Sequence, residues 1–149
     1  MSYKAIKLVV VVFAVVIVVL LAVLIFVQPA GAPELPRPLT SSDGRLMVTS
    51  PLPGALVVSP ASLVGSVTGG GWFFEASFPV KILDGDGKVL GQGPVQAGAD
   101  WMTTGTVPFA VAFPFKAPQY ATGTIVFMKD NPSGAPENAG ELIVPVRFR

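Results

Sequence analysis

The chain has 149 residues, with ten Lys and Arg against nine Asp and Glu, a formal net charge of +1, and neither Cys nor His. So even a balance supplies no basic excess for binding nucleic acid. The missing Cys excludes disulfides, and the missing His removes the commonest general base and the commonest transition-metal ligand.

Leu8 to Val27, LVVVVFAVVIVVLLAVLIFV, is an unbroken apolar run without Gly or Pro. At the helical rise of about 1.5 Å per residue, about 20 residues cross the roughly 30 Å hydrocarbon core of a bilayer. In lipid the backbone satisfies its own hydrogen bonds, which overrides the β-preference of valine. The run therefore predicts a transmembrane helix at 8–27. Residues 1–7 carry Lys4 and Lys7 and no acid. By the positive-inside rule this tail is cytoplasmic and residue 28 onward is extracytoplasmic. The run exceeds the about 7–15 apolar residues of a signal peptide, and we read it as an uncleaved signal anchor. Ala30 and Ala32, just before Pro33, leave a cleaved leader as the alternative. With no polar side chain in the run, a tether is the expected role.

Residues 28–44, QPAGAPELPRPLTSSDG, contain four prolines and no hydrophobic period, and read as a Pro-rich linker. Beyond it, from Arg45, come short β-type runs cut by Gly, Pro, Asn and Asp. LMVT at 46–49, ALVVS at 55–59 and SLVGSV at 62–67 come first, then the aromatic patch Trp72, Phe73 and Phe74. SFPVKIL at 77–83 puts Phe78, Val80 and Ile82 on one face. DGDG at 84–87 is a hairpin signal, and KVLGQG at 88–93 is the return strand. PFAVAFPF at 108–115 places Phe109, Val111, Phe113 and Phe115 on one face. GTIVFMK at 123–129 follows, and in ELIVPVRF at 141–148 Leu142, Val144, Val146 and Phe148 point inward with Arg147 outward. This spacing of turn signals predicts an all-β fold, an immunoglobulin-like antiparallel β-sandwich of about seven to eight strands over 45–149. Pro79, Pro114 and Pro145 fall inside strand runs, which points to edges or bulges there.

The chemistry-bearing candidates are few. DGDG at 84–87 shares the opening of a calcium loop, but calcium needs about six or more oxygen ligands and KVLGQG offers no acid, so no metal is expected. Glu75, set among Trp72, Phe73, Phe74 and Phe78, reads as a structural carboxylate or as a ligand contact whose pKa desolvation would raise. Trp101 in ADWMTTG reads as a core plug or as a recognition anchor. The polar stretch KDNPSGAPENAG at 129–140, with Lys129, Asp130, Asn131 and Glu137, is a binding loop or a plain connection. Trp72, Phe73, Glu75, Trp101, Lys129, Asp130, Asn131 and Glu137 are thus the candidate partner-binding residues. No nucleophile elbow, phosphate-cradling loop or dinucleotide fingerprint occurs, so neither an enzyme activity nor a cofactor is expected.

SPLPGALVVSP (50–60), VGSVTGGGWFFEASFPVKILDGDGKVLG (64–91), DWMTTG, PFAVAFPF, GTIVFMKDNPSGAPEN and IVPVRF together resemble the immunoglobulin-like domain of bacterial spore germination, also called the second GerMN-associated domain. The resemblance covers 46–149. It implies an extracytoplasmic module of the bacterial cell envelope that binds or assembles and brings no catalytic residues. The expectation is a non-catalytic, single-pass membrane protein whose outer domain binds an envelope protein or a cell-wall polymer, with oligomeric state open. The alternative is a structural spacer assembled through its transmembrane helix.

Overall fold

The computed structural model describes residues 3–26, 36–69 and 71–148, and within the N-terminal helix the side chains of Tyr3, Lys7 and 9–20. The chain divides into two compact units, Met1–Leu35 and Pro36–Arg149.

The first unit holds one α-helix, α1, Tyr3–Phe26. Its described apolar side chains run from Val9 to Leu20 and are exposed. Among the described residues no helix is long and apolar enough to cross a membrane. The span expected at 8–27 is therefore not supported there. Its remaining side chains, Leu8 and 21–27, lie outside the described residues.

The second unit is a two-layer sandwich, with nine strands among the described residues. They are β1 (Leu39–Thr40), β2 (Leu46–Ser50), β3 (Leu56–Val57), β4 (Ala61–Thr68), β5 (Ser77–Asp84), β6 (Val89–Gln96), β7 (Thr106–Phe113), β8 (Thr122–Met128) and β9 (Glu141–Phe148). One sheet has the order β1-β2-β4-β7 and the other β3-β9-β8-β5-β6. All eight runs read from the sequence are strands, and β1 adds a ninth inside the stretch expected to be linker. It exists because Leu39 and Thr40 pair with Val48 and Met47, and the turn that follows is held by Ser41. The expected wholly antiparallel arrangement is corrected at one place: β3 runs parallel to β9, with Leu56 opposite Arg147.

Alternation places the core. β5 buries Phe78, Val80 and Ile82, and β9 buries Leu142, Val144, Val146 and Phe148. Phe78 is the centre, with ring centroids 5.3 Å from Phe73, 5.3 Å from Phe109, 6.3 Å from Trp72 and 6.4 Å from Phe127. Such ring pairs contribute about 0.5–1.5 kcal/mol each beyond burial alone. Gly65 faces Phe109 across the β4–β7 ladder, and the Phe109 ring fills the space a Cβ would need.

The prolines are accommodated differently from one another. Pro145 is corrected, because β9 is an inner strand: its carbonyl takes the Gly54 N–H at 2.8 Å, and as the Arg147 N–H reaches Ala55 O on the same side, the missing donor of Pro145 points ahead of where β3 begins. Pro114 lies just past β7. Pro79 is corrected, because β5 is an inner strand; Pro79 faces Pro94, and two residues without N–H form a pair that needs no ladder bond.

Candidate functional site

Strand directions sort the connections into two ends. The turn 41–45, the stretch 71–76 and the loops 97–105 and 129–140 meet at one of them, the Trp72 end. Backbone bonds tie these connections together: Gly69 N–H to Gly105 O at 2.8 Å, Ala97 N–H to Ala76 O at 2.8 Å and Asp130 N–H to Trp72 O at 3.2 Å.

Trp72 lies within this end at 1% exposure and donates its indole N–H to Asp43 Oδ2 at 3.0 Å. Ser41 Oγ donates to Asp43 Oδ1 at 2.5 Å, and the Arg45 N–H reaches the same oxygen at 3.1 Å. Partial burial pushes the Asp43 carboxyl up, but the bonds from Ser41, Arg45 and Trp72 and the positive charge of Lys129 outweigh it and hold the pKa below the usual carboxylate value.

Phe74 and Ser77 exchange backbone bonds of 2.9 and 3.0 Å, closing a two-residue hairpin turn around Glu75 and Ala76. Both central residues have positive φ, 49° and 62°. Side chains other than Gly and Asn adopt this region at a cost of about 1–2 kcal/mol each. The sharp turn explains why Phe73 points inward while Phe74 and Glu75 face solvent.

The loop 129–140 is held by its own side chains. Asn131 Nδ2 donates to Ala135 O at 2.8 Å, Ser133 Oγ to Asn131 Oδ1 at 2.6 Å and Asn138 Nδ2 to Ser133 Oγ at 3.2 Å. A short 3₁₀ turn, Pro136–Asn138, carries Glu137 outward.

The eight candidates from the sequence thus all lie at one end, but not in equivalent roles. Trp72 and Phe73 are corrected: both are buried core rings rather than contact residues. Glu75 is exposed at a hairpin tip, not enclosed by rings as expected. Trp101 is half-buried and packs against the core, which fits the plug reading. Asn131 is spent on bonds within its own loop. Lys129 and Asp130 are half-buried, and Glu137 is exposed. The sequence reading missed Phe74 and Met102, large apolar side chains left 43% and 76% exposed. An aromatic directly before a two-residue turn was the available signal for the first.

The opposite end carries the DGDG hairpin as a tight turn, with the Gly87 N–H on Asp84 O at 2.9 Å. Buried Asp84 accepts N–H groups from Gly85 (2.9 Å), Gln119 (2.8 Å) and Tyr120 (3.2 Å), joining this turn to the β7–β8 connection. Burial raises its pKa, and these three bonds with the charge of Lys88 lower it by more. Asp84 thus pins the turn to that connection. Among the described residues no group of three His, Cys, Asp or Glu is placed to hold a metal.

A shallow cleft of about 410 Å³ runs along the outer face of the five-stranded sheet, over Pro79, Pro94 and Met128, with Lys81, Gln92 and Asp130 at its rim. The whole arrangement is a scaffold that gathers loops, the layout of an immunoglobulin-like binding domain. The family model of the immunoglobulin-like domain of bacterial spore germination matches residues 45–135, and the chain belongs to that family. The matched stretch ends before β9, although the expected resemblance ran to 149. No match is found among curated proteins or among solved structures.

Proposed function

We propose that the chain is a non-catalytic, membrane-anchored module of the bacterial cell envelope whose outer domain binds a partner through its Trp72 end. The observation that carries this reading is the composition of that surface. Asp43, Glu75, Asp100, Asp130, Glu137 and Glu141 lie at that end against Arg45 and Lys129, and so do the exposed Phe74 and Met102. Exposed apolar side chains together with charged ones are the chemistry of a recognition surface. The acidic excess favours an envelope protein presenting Lys and Arg over an anionic wall polymer.

The anchor reading is supported by the apolar run 8–27, by the helical backbone Tyr3–Phe26, and by Lys4 and Lys7 ahead of the run. It leaves the N-terminus in the cytoplasm and the sandwich outside.

The test is crosslinking of the full chain in native membranes, with Phe74→Ser/Met102→Ser and Glu75→Lys/Glu137→Lys compared with wild type. Loss of one defined crosslinked partner, with an unchanged melting temperature, is the expected result. The same partner captured by both variants rejects the site.

A further inference from the structure

We propose that the other end of the sandwich, where the chain enters at Pro36, rests on the anionic headgroups of the bilayer, an inference that depends on the anchor reading above. Leu39 pairs with Val48 and β2 then runs on to Ser50, so the chain enters beside the 51–60 connection. The 84–88 turn, the 114–121 connection and the end of β9 lie at this same end. Ten peptide bonds separate Phe26 from Pro36, which limits the reach from the helix to about 35 Å.

The chemistry of this end is opposite to that of the Trp72 end. Arg37, Lys88, Lys116 and Arg147 are exposed here, and among the described residues the acids at this end are Asp86 and the buried Asp84, whose carboxylate is already taken by three backbone N–H groups. Beside these cations stand exposed Leu56 (50%), Val58 (52%) and Tyr120 (49%). Leu56 and Val58 line a groove of about 410 Å³ with Pro51, Leu52 and Pro60, and Val58 shares a second, adjoining cleft with Lys116. Cations next to aliphatic side chains and a tyrosine suit a lipid interface, where charge meets headgroup and the apolar atoms meet the acyl boundary. A soluble polyanion satisfies the charges but offers nothing to Leu56 and Val58. The acidic Trp72 end is repelled by the same surface, so the charge asymmetry turns the partner-binding loops away from the membrane.

The chain lacks Cys, so single cysteines report position directly. The full chain is reconstituted into vesicles of phosphatidylcholine alone or mixed with phosphatidylglycerol, with an environment-sensitive fluorophore on Val58→Cys, Tyr120→Cys or Ser133→Cys and a quencher on the lipid. Carbonate extraction reports insertion separately. The expected result is quenching at positions 58 and 120 in the anionic mixture, its loss in high salt, and none at 133. Lys88→Gln/Lys116→Gln lowers the docked-to-undocked ratio about 25-fold, about fivefold per charge. Extraction by carbonate overturns the anchor reading and this one with it. Firm insertion without quenching at 58 and 120, or equal quenching in neutral lipid, overturns this one alone. A fluorophore shift of the same size produced by soluble polyglutamate, without anionic lipid, overturns the choice of lipid.

Discussion

Trp72 and Asp43 stand 29 positions apart in the chain and share a 3.0 Å hydrogen bond from the indole Nε1 to a carboxylate oxygen. The bond fastens the β1–β2 turn to the chain that leads into β5, over a ring that meets Phe78 edge-on. Asp43→Ala leaves the indole N–H without its acceptor and costs about 1–3 kcal/mol. Trp72→Ala adds a core cavity and costs about 3–5 kcal/mol. In the double variant the loss is smaller than the sum, because the bond is removed only once. Urea unfolding followed by circular dichroism measures all three.

Acid acts on the same architecture at both ends. Asp43 and Asp84 have folded pKa values below those of the unfolded chain. Their contribution is therefore fully present above the unfolded value of about 4 and is lost as pH falls through the folded values. Asp84→Asn lowers the urea midpoint at neutral pH and flattens the fall in stability below about pH 4. An unchanged slope in that range refutes the assignment of Asp84 as an ionised pin.

The hairpin tip offers a gain rather than a loss. Ala76 is held at φ 62°, so Ala76→Gly removes the left-handed cost and stabilises by about 1 kcal/mol. That corresponds to a rise of about 3–5 °C in melting temperature for a domain of this size. Ala76→Val, β-branched at a positive φ, moves the melting temperature the other way.

Two glycines separate space from flexibility. A Cβ at Gly65 collides with the Phe109 ring and with a β2 carbonyl, so Gly65→Ala costs about 1–3 kcal/mol through overpacking. At Gly105 the nearest atom is the Thr103 hydroxyl at 3.4 Å, and Gly105→Ala stays within about 0.5 kcal/mol of wild type. Thermal unfolding of the pair side by side distinguishes the two cases.

The strands were legible wherever one face is buried, since alternation in SFPVKIL and ELIVPVRF encodes which side chains enter the core. β1 was not legible: two residues carry no period, and their prolines and serines match a linker equally well. The parallel β3–β9 pair joins residues about ninety positions apart, a relation that no local pattern encodes. At the Trp72 end the connections between strands were legible, but the direction of each side chain was not. Trp72, Phe73 and Phe74 are alike in composition, and only the turn at Glu75 and Ala76 decides which of them faces out.

β9 has a consequence for timing. It stands between β3 and β8 and supplies Leu142, Val144, Val146 and Phe148 to the interior. A growing polypeptide that has not yet reached residue 141 holds β3 without its neighbour and leaves the edge of β8 that β9 will cover unpaired. Closure of this sheet therefore waits for the last strand to be made, a long-range pairing that sets the pace of folding.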